Sequence, residues 1–493
     1  MKRIIFSLSI LALLASCAED KGNYDYSETN ELSFAGIESS YELEQFSELS
    51  ITPTITGSLS YNEADYDYLW YIYKVNGRAS EQPDTLSHEK NLTATISKAP
   101  GSSYRLMYEV TDRTTGRRYF SKSDVSVVNT YSKGLAILSD VEGMAQVSFI
   151  NSLDKVTEDA YQAVNGRPVG RGPIGIFLAG RNSNSDNLIV VSTEDSVVCC
   201  NHIDFSYTMN FQDMFYFPST PGRLTNLLHG RYPYNEYAIV DGKVFKRSIY
   251  VWSDDENTLP LFTTEIAYRD GDVASFNFYG DNSQPYFWDP VAKKFVYDTY
   301  YNIGDLEPGY ANEYFDPSNV GMDMVWGTTV LNDEGQALIR SIMKDSDGKT
   351  RIIWGIKQDD YDPETWVSWY FITPSGNREV TGAAASATVW AISSLDPNFI
   401  YYATGNKIVC MSVITGNTIS ETTVEGSQID CMEFDPSDNT KLYVGTSDGS
   451  AKANSGSVFV LSMQSNGSLT LQKSYKNICG RVVDFETNTG EEE

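Results

Sequence analysis

The residues with the clearest chemistry are Leu14-Ala15-Ser16-Cys17, where small residues lead up to a thiol. In this pattern the leader is removed before the cysteine, its sulfur is diacylated and its new amine is acylated as well. Met1-Lys2-Arg3 supplies a short basic start, and Ile4 to Leu14 an apolar run of 11 residues. A membrane-spanning helix needs about 20 residues, so the run reads as an export signal rather than a span. The expectation is therefore a lipoprotein signal peptide over 1–16 and lipidation, of palmitate type, at Cys17. Each buried methylene contributes about 0.8 kcal/mol, so several acyl chains hold a protein on a membrane without a transmembrane helix.

No second set of residues converges so clearly. Gly170-Arg-Gly172-Pro-Ile-Gly175 fits G-x-G-x-x-G, but Pro173 interrupts it and a strand, not a helix, follows. Gly445-Thr-Ser447-Asp-Gly449 fits G-x-S-x-G, yet it ends a strand and no histidine lies beyond His229. Asp345-Ser-Asp347-Gly348 could offer oxygens to calcium but lacks the distal glutamate of a complete loop. Cys200 and His202 could share a strand face, but two ligands do not make a metal site. With 66 acids in the chain, carboxylate pairs for glycoside cleavage are uninformative. The expectation is no enzyme, no metal and no cofactor.

Aromatic side chains are the more suggestive chemistry, because the chain holds 33 tyrosines and 8 tryptophans, and sugar rings or peptide side chains stack on exposed rings. Candidate clusters are Phe205, Tyr207, Phe211, Phe215, Tyr216 and Phe217; Tyr232 and Tyr234; Tyr310 and Tyr314; and Tyr361, Trp366, Trp369 and Tyr370. The last group, in the loop-like stretch Tyr361-Asp-Pro-Glu-Thr-Trp366, is the chosen ligand-binding candidate, for a glycan or a peptide.

Charge narrows the partners. Removing the signal takes away Lys2 and Arg3 and no acid, which moves the net charge from −29 to −31. Nucleic acid needs a basic surface, so it is not an expected partner, and contact with the membrane is expected through the anchor alone. Apart from Cys17, the cysteines Cys199, Cys200, Cys410, Cys431 and Cys479 are odd in number and lie among apolar residues. They read as small core residues rather than a disulfide framework.

The elements that would position these residues are strands. From Glu31 to about Val128, apolar residues recur at every second place, as in Tyr66-Tyr68-Trp70-Ile72 and Tyr104-Leu106-Tyr108-Val110. Such short strands around a central tryptophan suit an immunoglobulin-like sandwich over 31–129. Beyond Thr130, strand and turn units begin near Gly134, Gly175, Glu236, Pro285, Gln336, Phe399 and Lys441, spaced 41, 61, 49, 51, 63 and 42 residues apart. Propeller repeats run about 40 to 50 residues per blade, so the reading for 130–486 is a β-propeller of about seven blades. Gly480 to Phe485 could close the ring on the first blade. Residues 17–30 read as a lipidated tether and 487–493 as a disordered acidic tail.

The stretch from Cys17 to Tyr26, followed by Asn30-Glu31, the strand with Trp70, and Tyr108-Glu-Val-Thr-Asp112, resembles the PKD-like family lipoproteins of Bacteroidota. Ala18-Glu19-Asp20, directly after the anchor, also resembles the surface-export signal of lipoproteins from that group. The resemblance implies a surface-exposed protein of the outer membrane, with a PKD-like module followed by a propeller. It further implies a setting beside a SusC-type TonB-dependent transporter and a SusD-type lipoprotein, in nutrient uptake. The expected role is a non-catalytic accessory subunit, with a cell-surface propeller hydrolase or lyase as the alternative.

Overall fold

The computed structural model describes residues 29–75, 83–100, 102–180, 187–217, 222–229, 235–248, 261–262, 265–268, 271–278, 285–299, 302–365 and 367–488. The chain divides into two compact units, Met1–Val127 and Val128–Glu493.

In the first unit, alternation becomes a sandwich. Ser40–Glu44, Arg118–Val128, Ser103–Asp112, Tyr66–Lys74 and Asp84–Ser87 form one five-stranded sheet, in that spatial order. Two short ladders, Leu32–Ala35 with Thr54–Gly57 and Glu48–Ile51 with Leu92–Thr95, contribute to the same core. Trp70 is fully buried, stacks on Tyr108 at 4.1 Å and donates its indole N–H to the Lys90 carbonyl at 3.3 Å. Its ring is therefore satisfied both as an apolar body and as a polar donor.

Among the described residues, the strands of the second unit form the seven blades of a β-propeller. Six blades follow one another as antiparallel meanders starting at the inner strands Pro173–Ala179, Leu224–His229, Ala274–Phe278, Asp323–Leu331, Trp390–Ile392 and Gln428–Phe434. The remaining blade, blade one, is composite. Its inner strand is the chain's last, Arg481–Asn488, paired antiparallel with Gly134–Val141, and Met144–Asn151 and Val156–Thr157 complete the sheet. The Gly134 blade thus takes its first strand from the far end of the sequence. The sequence starts fall on second strands, except that Gly175 lies on an inner one, which accounts for the uneven first two spacings.

Among the described residues, seven hydrophobic clusters lie between neighbouring blades, and strands in the middle of a blade feed two of them. In Leu188–Thr193, Ile189 and Val191 face the blade before while Leu188 and Val190 face the blade after. A strand buried on both faces shows no polar alternation, which is why these segments read as apolar runs. Cys200 and Cys199 divide in the same way, one to each face, and neither can reach the other. Blade one has only two residues in its outer strand. The short helix Ala160–Asn165 stands beside it, N-capped by Asp159, whose carboxylate also accepts the Val147 N–H at the sheet edge.

Closure is close-fitting. A Cβ on Gly480 would come within 2.2 Å of the Asp140 carbonyl oxygen, so the approach to the last strand admits only glycine. Ser148 donates to the Ile478 carbonyl at 3.0 Å, and Arg481 pairs with Asp140 at 2.9 Å. Removing residues 481–493 should abolish the cooperative thermal transition of the propeller unit while leaving that of residues 17–127 in place. Calorimetry of the truncated chain checks this, and two unchanged transitions would contradict it.

Candidate functional site

A groove of about 690 Å³ opens between blade seven and blade one, at the seam where the ring closes. Leu135, Ile150 and Val460 give it apolar surface, and two polar clusters flank that surface.

The first cluster comes from the turn between the first two strands of blade seven. Asp435, only 2% exposed, accepts the Ser437 N–H at 2.9 Å, the Ser437 hydroxyl at 2.6 Å, the Tyr443 hydroxyl at 2.8 Å and the Lys441 ammonium at 3.2 Å. Burial alone would raise its pKa, but the bonds from Ser437 and Tyr443 and the charge of Lys441 outweigh burial and hold the carboxyl below its ordinary value. The Tyr443 phenol is pushed up by burial and by that carboxylate.

The second cluster bridges the two blades. Asp154, in a blade-one turn with φ of 65°, takes the Lys473 ammonium on both oxygens at 2.6 and 2.7 Å and the Tyr475 hydroxyl at 2.5 Å. A non-glycine residue rarely adopts this φ, and here Asn151 fixes the turn by accepting the Leu153 and Lys155 N–H groups. Burial again opposes ionisation of Asp154, and the Lys473 and Tyr475 hydrogen bonds again prevail and lower its pKa. Both carboxylates are thus anionic at neutral pH and already engaged. A general acid needs a proton to give, so these two groups suit positioning and binding rather than proton transfer.

A different carboxylate arrangement lines the inner wall of the ring. Asp484 accepts the Ile176 N–H and Glu486 the Leu178 N–H, each at 3.0 Å, so the closing strand holds the inner strand of blade two through its side chains. Burial, with the neighbouring Glu486 charge adding to it, pushes the Asp484 carboxyl up to about 7.

The residues singled out from sequence are dispersed. Tyr361 is 47% exposed near the tip of the long hairpin formed by Thr350–Asp362 and Val367–Glu379 in blade five. It pairs with Ser368, whereas Trp369 pairs with Asp360 and so lies on the opposite face of the ribbon. Tyr370 shares the Tyr361 face, but its ring packs on Tyr297 at 4.8 Å. Trp366 lies outside the described residues, as do Cys17, Tyr232, Tyr234, most of the tether and 489–493 of the acidic tail. Of the 205–217 cluster, Phe205, Phe211 and Phe215 are core, whereas Tyr216 and Phe217 are exposed. Tyr310 stacks on Phe371 at 3.9 Å. The Asp345 turn spends a carboxylate oxygen on the Asp347 and Lys349 N–H groups. Among the described residues, no three His, Cys, Asp or Glu side chains are placed to hold a metal ion.

The groove itself was not apparent in the sequence, because its walls come from residues 133–154 and 435–488. The available signal was the Asp435 to Lys441 turn, which reads as a turn and nothing more.

The model of the PKD-like family matches residues 17–173. No curated protein matches the chain. Among solved structures, a quinoprotein alcohol dehydrogenase-like protein from Bacteroides thetaiotaomicron VPI-5482 aligns with 91% of this chain and 96% of its own, at 13% identity and a TM-score of 0.42. The dihydro-heme d1 dehydrogenase NirN, in complex with DHE, aligns with 78% of this chain and 73% of its own, at 11% identity and 0.40. The WD40 repeats of RRP9 align with 62% of this chain and 81% of their own, at 6% identity and 0.38.

The Asp484 carboxyl titrates near 7 when folded, against an ordinary 3.8, so between those values the folded state binds more protons than the unfolded state. Stability therefore falls as pH rises through that window. Asp484→Asn keeps an acceptor for Ile176 and removes the charge, so it should raise the propeller's Tm at pH 8 by on the order of 2 °C or more. The gain should shrink toward pH 4.5, and melting curves at both pH values check it. A loss of stability at pH 8 would contradict the assignment.

Proposed function

We propose that this chain is a surface-exposed outer-membrane lipoprotein, anchored at Cys17, that serves a SusC/SusD-type nutrient importer as a non-catalytic accessory subunit. Its propeller presents the seam groove to a glycan or peptide ligand, or to the transporter itself. The observation that carries the binding role is the groove, roomy enough at about 690 Å³ for a small ligand, with its buried carboxylate ionised and fully engaged. The Leu14 to Cys17 pattern, the acidic balance of the chain and the PKD-like match over 17–173 support the setting.

A second reading, a surface hydrolase or lyase acting on a polymer, draws on one feature. Asp484, pushed up to about 7 beside Glu486, is the kind of carboxylate pair in which one member keeps a proton. Both side chains accept backbone N–H groups from the neighbouring blade, which favours a structural role for them.

The test begins with a pull-down of the tagged lipoprotein from detergent-solubilised outer membranes. Recovery of a TonB-dependent transporter with its lid lipoprotein is the expected result, and the transporter's cargo then supplies ligands to screen. Val460→Trp, which fills the groove from its partly exposed apolar wall, should weaken ligand binding at least tenfold, while Asp484→Asn leaves it unchanged. Release of product from a polymer, lost in Asp484→Asn, would instead establish the enzyme. A protein that recovers no transporter would contradict the importer role.

A further inference from the structure

The charge balance of the seam groove narrows what it can hold. Its charged lining sets Lys133, Lys441 and Lys473 against Asp154, Asp435 and Asp438, so the groove is neutral in a chain whose net charge is −29. The opposite charges meet within the walls. Asp154 takes Lys473, and Lys441 stands 3.2 Å from Asp435 and 3.7 Å from Asp438. A charged ligand group would have to displace one of these pairs, whereas an uncharged ligand displaces none.

The hydrogen-bonding capacity left over is rich in acceptors. Among the described residues, Asp438 Oδ2 and Asp154 Oδ2 each meet a single lysine, and a carboxylate oxygen has room for more than one donor. Gln472 adds a carboxamide. Val460 pairs with Lys473 and Leu461 with Leu471, so Gln472 is the extra residue of a β-bulge. Successive strand residues normally face opposite ways, yet Gln472 and Lys473 both line the groove. The Gln472 side chain makes one hydrogen bond among the described residues, a long one of 3.5 Å to the Thr470 carbonyl. On the blade-one side, the Ser152 hydroxyl is buried at the groove wall without a partner among the described residues.

We infer that the groove takes an uncharged glycan rather than an acidic glycan or a peptide, an inference that rests on its being the ligand site. A sugar ring offers several O–H donors to the surplus acceptors and a face of C–H groups to Leu135, Ile150 and Val460. A peptide backbone matches every N–H with a carbonyl of its own, which leaves the carboxylate oxygens unserved. A uronate or sulfate brings like charge against Asp154 and Asp438.

The experiment titrates the full-length lipoprotein in detergent with neutral trisaccharides of hexose, pentose and N-acetylhexosamine units, with trigalacturonic acid and with N-acetyl-trialanine amide. Saturable binding of a neutral trisaccharide is expected, with the acid and the peptide at least tenfold weaker. Gln472→Ala, on an exposed outer strand, should keep the Tm and weaken the sugar at least fivefold. Asp154→Asn suits the left-handed backbone and leaves Lys473 unpaired, so trigalacturonic acid should gain at least tenfold. Acid or peptide binding as tight as that of any neutral sugar, and lost in Val460→Trp, would overturn the inference while keeping the groove as the ligand site. Sugar binding that survives Val460→Trp would overturn both, and a panel in which no neutral trisaccharide binds would overturn the inference.

Discussion

The propeller depends on one antiparallel pairing, that of Arg481–Asn488 with Gly134–Val141. Each blade buries its faces only against the next, so an open ring would leave the apolar faces of blades one and seven in water. The closing strand prevents this by belonging to blade one in hydrogen bonding and to the end of the chain in sequence. Its side chains extend the same role, since Asp484 and Glu486 accept N–H groups from the inner strand of blade two. One strand thus ties together blades one, two and seven.

The groove follows from that constraint. Blades elsewhere in the ring meet along continuous sequence, whereas the seam joins segments roughly 300 residues apart, such as Asp154 with Lys473 and Tyr475. Across the seam, polar bridges stand where side-chain packing would otherwise be complete, and the remaining space is the groove. Half-exposed ion pairs contribute little to stability, about 0.2–1 kcal/mol, so the Asp154 bridge matters more for the shape of the groove than for holding the ring.

The fold was legible where burial leaves a periodic trace. In the first unit the long central strands have one buried face, and Tyr104, Leu106, Tyr108 and Val110 alternate with partly exposed residues as the pattern demands. Trp70 as the core anchor follows from the same pattern. In the propeller the trace is weaker, because Leu188–Thr193 is buried on both faces, yet turns and spacing still gave the blade count. The site was far less legible. Local aromatic density suggested Tyr361 to Tyr370, but strand pairing sends Trp369 to one face and packs Tyr370 against Tyr297 on the other. The groove residues are ordinary in sequence and become notable only when the ring brings the two ends of the unit together. Phe46 also adopts a left-handed φ of 64°, which nothing in Glu44-Gln-Phe-Ser47 signals.

The most direct test of this account is hydrogen exchange of the intact protein, followed along the sequence. If the closing strand governs the ring, the amides of 481–488, 134–141 and 176–178 should be among the most protected in the propeller and should open together. Exchange of 481–488 at the rate of a frayed terminus, with 134–141 still protected, would contradict it.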